Sequence, residues 1–220
     1  MPSTRTTRLA LVLAAALPFA SLAHAAAPLC PATPPPQPAG WVAHVQQVNR
    51  SLGIPPDYAA RHHLSIQPEA KDLVQVPRDV YGRKQEMVAP AAAALKRMFA
   101  AAARDGIKLE TVSGYRSFAY QTHLVREKLN RGMSIQKALS INAVPGYSEH
   151  QTGCAMDLDT PGYPAADTVF DKSKAFAWLQ QHAATYGFHL SFPPGNIYGY
   201  EYEPWHWRYI AGSATASSKR

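Results

Sequence analysis

Six prolines, Pro28, Pro31, Pro34, Pro35, Pro36 and Pro38, crowd into one short stretch near the amino terminus. Proline locks φ and lacks a backbone N–H, so such a run fits neither a helix interior nor a central strand. It favours an extended, polyproline-like spacer without internal hydrogen bonds. The stretch therefore divides the chain. Before it, Arg5 and Arg8 precede an almost wholly apolar run from Leu9 to Ala20, followed by Ala23-His24-Ala25, the small-residue form of a secretory cleavage site. Residues 1–25 read as a signal peptide cut after Ala25, and residues 26–40 as a proline-rich linker. A membrane anchor is the weaker reading, because the apolar run is short for a span of ~20 residues. Lipid attachment at Cys30 is also weaker, because Leu29 stands where a small residue is wanted.

From about Trp41 the composition turns globular, and no internal repeat or low-complexity segment interrupts it before the Ser-rich tail, residues 213–220. One domain over residues 41–212 is the expectation for a chain of 220 residues. Hydrophobic residues make up 46% and charged residues 17%, which excludes a coiled coil and a highly charged disordered chain. The net charge of +7 suits an anionic partner: nucleic acid, a membrane surface or an acidic wall polymer. Nucleic acid is disfavoured, because the basic residues are scattered without a cluster or an aromatic platform, and because export is expected. Cys30 and Cys154 are the only cysteines, so a disulfide framework or a four-cysteine zinc site is excluded, while a single bridge between them can form in an oxidising compartment.

Val88 to Arg104 predicts a helix: it is alanine-rich, has Leu95, Met98 and Phe99 at helical spacing, carries Pro90 in its first turn and stops at Gly106. Leu109 to Ser113 predicts a short strand. Ser117 caps a helix running to about Asn130, and Ser134 caps another short one. In Cys154-Ala155-Met156-Asp157-Leu158-Asp159 the alternation predicts a strand with Cys154, Met156 and Leu158 on one face and the acids on the other. A helix from about Ser173 to Tyr186 ends at Gly187. Phe188 to Phe192 and Ile197 to Ile210, dense in aromatics, read as strands joined by the turn Pro193-Pro194-Gly195-Asn196. Helices first and a strand-rich end, without regular βαβ alternation, predict an α+β single domain with a central antiparallel sheet and helices packed on it.

The chemistry concentrates in short segments. Ser148-Glu149-His150-Gln151-Thr152-Gly153 through Asp157 offers an imidazole and a carboxylate across a loop-to-strand junction, and Glu203-Pro204-Trp205-His206 offers another of each. Two His and one Asp can hold zinc and leave a fourth position for water, with Glu203 remaining to take that water's proton. Glu203 and His206 differ by three, so in a regular strand they would face opposite ways; a break at Pro204 would bring both to one site. Of the nine histidines, His24, His44, His62, His63, His123, His182 and His189 are expected to be surface or structural residues.

Together with Ser113-Gly114-Tyr115-Arg116-Ser117 and the continuation Trp207-Arg208-Tyr209, these segments resemble the three signatures of VanY-like D-alanyl-D-alanine carboxypeptidases, zinc peptidases of the LAS group that cut peptidoglycan stem peptides. The resemblance spans about Leu64 to Ile210. It implies a hedgehog/DD-peptidase-like fold and one Zn2+ per chain. His150, Asp157 and His206 match the family's metal ligands, Glu203 its catalytic base, and Arg116 the arginine that steadies the polarised carbonyl and its oxyanion. Gln121 and Ser148 match positions that help hold the peptide. The function implied is removal of the terminal D-Ala from stem peptides, with an L,D-carboxypeptidase or an endopeptidase as alternatives on the same scaffold. A zinc-dead peptidoglycan-binding module is disfavoured, because every ligand position and the base are intact. The expected setting is a monomer exported to the periplasm or cell envelope, without a stable membrane span and without nucleic acid. Two departures stand out. Cys154 occupies a position where an unreactive apolar residue is expected; facing away from Asp157, it reads as a small buried hydrophobe, not a fourth ligand. The Lys or Arg that the family often places before the last motif is missing from Phe188 to Ile197.

Overall fold

The computed structural model of the protein describes residues 29–215. The signal-peptide reading of residues 1–25, the start of the linker and residues 216–220 of the tail lie outside the described residues. The chain enters through helices α1 (Ala39–Ser51) and α2 (Tyr58–Arg61), then forms a hairpin of β1 (Leu73–Val76) and β2 (Gln85–Val88). Helix α3 (Ala89–Arg104) leads to β3 (Glu110–Ser113), followed by α4 (Phe118–Asn130), α5 (Ile135–Ser140), β4 (Ala155–Asp159), α6 (Lys174–His182), β5 (Phe188–Leu190) and β6 (His206–Tyr209). The last four strands form one sheet in the order β3-β4-β6-β5, with every pair antiparallel. This is the expected α+β arrangement with an antiparallel central sheet.

Local chemistry places the helix ends. Pro90 lies in the first turn of α3, where its missing N–H costs nothing. At the other end Gly106 adopts φ 74°, the Gly106 N–H donates to Ala103 O, and the Ile107 N–H donates to Ala102 O, which closes the helix in a Schellman arrangement. Ser117, Ser134 and Ser173 each accept a hydrogen bond from the backbone N–H three residues on, capping α4, α5 and α6.

One face of the sheet carries the hydrophobic core. Met156 and Leu158 of β4, Trp207 of β6 and Phe188 of β5 join Leu95 and Met98 of α3 and Phe176 and Leu179 of α6 in one core. Alternation along the strands then sends Asp157 and His206 to the other face. A smaller cluster, Ile54, Tyr58, Val125, Leu139 and Val144, ties α2 to α4 and α5.

Three expectations are corrected. Only His206–Tyr209 of the stretch Ile197 to Ile210 is strand. Gly195 and Gly199 take positive φ, and the Asn196 side-chain amide donates to both Pro193 O and Tyr200 O, so residues 191–205 fold as a loop in spite of their aromatic density. The helix begun at Lys174 ends at His182, and Ala183–Tyr186 continue as a 3-10 turn to Gly187 at φ 80°. Cys154 is neither a free buried thiol nor a ligand, because it is bonded to Cys30. The proline-rich segment accordingly packs against the domain where it leaves Cys30: Arg208 Nη2 donates to Pro31 O at 2.8 Å, and Cys30 O accepts the Ala211 N–H. A polyproline-like chain leaves its carbonyls free for such partners. No helix among the described residues is long and apolar enough to cross a membrane.

Candidate metal centre

Pairing across β4 and β6 sets Asp157 directly opposite His206, with Asp157 Oδ1 3.1 Å from His206 Nδ1. His150 arrives from the 3-10 turn Glu149–Thr152, which ends at Gly153 with φ 66°. A Cβ at Gly153 would come within 2.9 Å of Leu73 Cδ2 and 3.1 Å of the Val88 backbone N, so the turn can close on the hairpin only with glycine there. The ligand-bearing nitrogens of His150 and His206 and a carboxylate oxygen of Asp157 lie within 4.8 Å of one another, and all three residues are buried.

The hydrogen bonds settle which atoms face inward. His150 Nδ1 lies 2.7 Å from Gly114 O, an acceptor only, so Nδ1 carries the proton and Nε2 presents a lone pair. That Nε2 is buried without a hydrogen-bond partner and stands 3.2 Å from Asp157 Oδ1, another acceptor. Two buried lone pairs at this distance repel unless a cation lies between them. His206 Nε2 donates to Glu149 Oε2 at 2.8 Å, which turns Nδ1 toward the same point. The three side chains therefore fit a zinc ion through imidazole nitrogen and carboxylate oxygen, the donor set of an open hydrolytic site.

Burial and charge act on each group. Burial, followed by the Arg116 charge, lowers the His150 imidazole to about 4 and keeps it neutral. Burial opposes charge on His206, but hydrogen bonds and charge from Asp157 and Glu149 outweigh it and raise the imidazole to about 10. The same field that holds a proton there favours a metal cation in its place. Burial opposes charge on Asp157, but the protonated His206 imidazole that faces it helps hold the carboxyl well below the usual carboxylate range. Burial, with the Asp157 charge behind it, pushes Glu203 up to about 7.

A cavity of about 370 Å³ opens over this cluster, lined by Arg116, Ser148, Glu203, Tyr200 and Trp205 together with the three candidate ligands. Glu203 and His206 do share one site: Glu203 Oε2 lies 3.7 Å from His206 Nδ1, in the loop before β6. Arg116 sits in the loop after β3. Its backbone N–H donates to His150 O, and its side-chain Nε is buried without a partner. That loop is clamped from several directions, since the Gly114 N–H donates to Gln85 Oε1, the Tyr115 N–H to Glu86 O, and both Tyr115 Oη and the Phe118 N–H to Glu69 Oε1. Ser148 is buried at the cavity wall with its Oγ unpartnered. Gln121 lies behind the wall, fully buried, with its amide donating to Ala143 O. Sequence reasoning passed over Glu149 and Arg208 as functional groups; their contact at 2.9 Å joins residues far apart in the chain and leaves no local signal.

Comparison with known proteins agrees with this geometry. YodJ of Bacillus subtilis (strain 168), a carboxypeptidase by name, is 35% identical over 180 residues, covering 76% of this chain and 60% of that protein. The chain thus spans only about three-fifths of that curated relative, and 45% of the D-alanyl-D-alanine carboxypeptidase of Enterococcus faecalis, 32% identical over 126 residues that make up 53% of this chain. The solved structure of the LdcB LD-carboxypeptidase superposes with a TM-score of 0.60 at 35% identity, over 67% of this chain and 74% of that one. VanYB in complex with D-alanine-D-alanine gives a TM-score of 0.52 at 28% identity, over 66% and 82%. The model of the VanY D-alanyl-D-alanine carboxypeptidase family matches residues 84–212, more than half of the chain and inclusive of every group that faces the metal centre, and the protein belongs to that family.

Proposed function

We propose that the protein is a zinc-dependent D,D-carboxypeptidase that removes the terminal D-Ala from peptidoglycan stem peptides in the cell envelope. The observation that carries this reading is the pair of opposed lone pairs, His150 Nε2 and Asp157 Oδ1, in a cavity that also holds Glu203 and Arg116. His150, Asp157 and His206 would hold a zinc ion, which would supply Lewis acidity to the reacting carbonyl. The chain's own groups do the rest. Glu203 takes the proton of the attacking water and returns it to the departing amine, a shuttle suited to a carboxyl raised to about 7. Arg116 holds a fixed guanidinium for the substrate carbonyl oxygen, where negative charge grows in the transition state, and so favours that state over the ground state. Ser148 offers its unpartnered hydroxyl to the peptide. Gln121 holds the wall at Ala143 against which the peptide lies.

Export is supported by the Cys30–Cys154 bond, because disulfides persist in oxidising compartments. The likeness to LdcB favours a second reading, in which the D-residue removed follows an L-centre in a tetrapeptide stem. Incubation with defined pentapeptide and tetrapeptide muropeptides, followed by mass spectrometry, separates the two. Loss of one alanine from the pentapeptide alone is expected. Trimming of the tetrapeptide instead would transfer the assignment to L,D-cleavage, internal cuts would make the protein an endopeptidase, and no cleavage by zinc-loaded protein would refute an enzymatic role.

A further inference from the structure

Glu149 takes no part in the chemistry described above, yet it is the most heavily bonded acid near the metal centre. Its Oε2 accepts from His206 Nε2 at 2.8 Å and Ser191 Oγ at 2.6 Å, and its Oε1 accepts from Arg208 Nη1 at 2.9 Å. Arg208 in turn spreads its planar fork over two acceptors: Nη1 on Glu149, and Nη2 on Pro31 O at 2.8 Å. Pro31 follows Cys30, and Cys30 is covalently bonded to Cys154, one residue beyond the Gly153 that ends the His150 turn. The path from the disulfide to a candidate metal ligand thus has few links: Cys30, the Pro31 carbonyl, the Arg208 guanidinium, the Glu149 carboxylate and the His206 imidazole.

We infer that Glu149 and Arg208 are positioning residues for the metal ligand His206, and that the Cys30–Cys154 bridge holds the strap that completes their cradle. This inference rests on the metal-centre reading. A ligating histidine that donates its other ring N–H to a carboxylate has its tautomer and ring orientation fixed and its basicity raised. Glu149 can act so only while it stays ionised and in place. With its side chain 14% exposed it is nearly removed from water, so its charge needs a partner, and Arg208 at 9% is buried beside it. A guanidinium needs more than one acceptor to stay oriented, because its donors form a rigid fork. The described strap supplies the second acceptor through a carbonyl that no regular secondary structure uses. Without the disulfide, the covalent tether nearest that carbonyl is lost, and only the main chain running on to α1 still connects it to the domain.

The test measures metal affinity as well as activity. Zinc affinity is read by competition with a chromophoric chelator, and ligand geometry by the visible absorption bands of the cobalt-substituted protein. Glu149→Gln keeps the side-chain shape and removes the charge; it should weaken zinc binding about 10- to 100-fold and alter the cobalt bands. Arg208→Met, with the disulfide intact, should act in the same direction, and Arg208→Lys should recover only part of the loss. The double variant Cys30→Ser/Cys154→Ala, measured at a temperature where circular dichroism shows it folded, should bind zinc several-fold more weakly than the wild type. A Glu149→Gln protein with zinc affinity within twofold of wild type and unchanged cobalt bands would overturn the positioning role. A folded double-cysteine variant with wild-type affinity would overturn the role of the strap. Wild-type protein that takes up no zinc would instead defeat the metal-centre reading itself, so the two failures are distinguishable.

Discussion

Asp157 and His206 are partners in register on adjacent antiparallel strands, with Oδ1 and Nδ1 3.1 Å apart on the face of the sheet opposite the core. Directly opposed residues of an antiparallel pair project to the same side with close Cβ atoms. The juxtaposition of these two candidate ligands is therefore a product of strand register: a slip of one residue would turn either group into the hydrophobic core. Asp157→Asn keeps the volume and the strand but removes the anion. It should lower zinc affinity by more than the 10- to 100-fold typical of groups that only orient a ligand. Chelator competition measures this, and an Asp157→Asn protein that retains wild-type affinity would show that Asp157 is not a ligand.

Asp79 supports the site from a distance. Its buried carboxylate accepts from the Tyr81 and Arg83 backbone N–H groups, from Arg83 Nε and from Gln85 Nε2, while the other end of Gln85 accepts the N–H of Gly114, whose carbonyl holds His150. Burial alone would raise the Asp79 pKa, but these hydrogen bonds together hold it below the ordinary value. The sign of the pH effect follows. A carboxyl lowered in the folded state stabilises the fold above its unfolded pKa, about 3.9, and loses that contribution as pH falls through the lower, folded value. Asp79→Asn should cost about 1–3 kcal/mol at pH 7, and the gap to wild type should close in acid below about pH 4. Denaturant unfolding of both proteins across that range checks it; a gap independent of pH would remove the ionised carboxylate from the account.

Gly114 is constrained first by backbone. A Cβ there would lie 2.7 Å from Glu86 O and 2.9 Å from Met156 Cε. The Glu86 carbonyl cannot yield, because it accepts the Tyr115 N–H. Gly114→Ala should destabilise the protein by about 1–3 kcal/mol, the usual cost of forced overpacking. It should also weaken zinc binding, because the displaced carbonyl is the one that orients His150. Unchanged melting temperature and zinc affinity would show that the loop can move freely.

Legibility in the sequence followed the range of the forces. Helices α3 and α4 and strand β4 were readable because Pro90, Gly106, Ser117 and the alternation Cys154 to Asp159 act within a few residues. The candidate ligands were readable because each lies in a short, chemically dense segment. The β4–β6 pairing that joins Asp157 to His206 was not, and neither was the contact of Glu149, in the turn before β4, with Arg208 of β6, since both join residues about fifty or more apart. The loop 191–205 misled in the other direction: its aromatics pack against one another, Phe192 on Tyr198 and Tyr200, without forming a ladder. Cys30 and Cys154, 124 residues apart, could be named as a candidate pair but not joined.

Processing of the amino terminus bears on that bond. If the segment containing Arg5 and Arg8 is cut after Ala25, the mature chain starts at Ala26 and keeps Cys30. The Sγ of Cys30 then sits in the disulfide and has no valence left for a lipid thioether. Intact-mass measurement of the protein recovered from cells should then give an Ala26 terminus, no acyl mass and two hydrogens fewer than the reduced chain. A diacylated protein would contradict both the cleavage site and the bridge.

The sharpest division of roles is between Glu203 and His206. They are three residues apart and line one cavity, yet only His206 belongs to the buried donor cluster, while Glu203 stands 3.7 Å from its Nδ1. A base and a ligand should fail differently. Glu203→Ala removes the proton acceptor but no metal bond, so it should keep its zinc and its melting temperature while turnover falls on the order of 100-fold or more. His206→Ala removes a ligand, and it also leaves the Glu149 carboxylate without one of its donors, so metal and turnover should be lost together. Zinc stoichiometry, thermal melting and turnover on a pentapeptide substrate, measured side by side for the two variants, decide the matter. A Glu203→Ala protein with near-normal turnover would end the proposal that Glu203 is the base, and one that sheds zinc as readily as His206→Ala would make Glu203 a ligand instead.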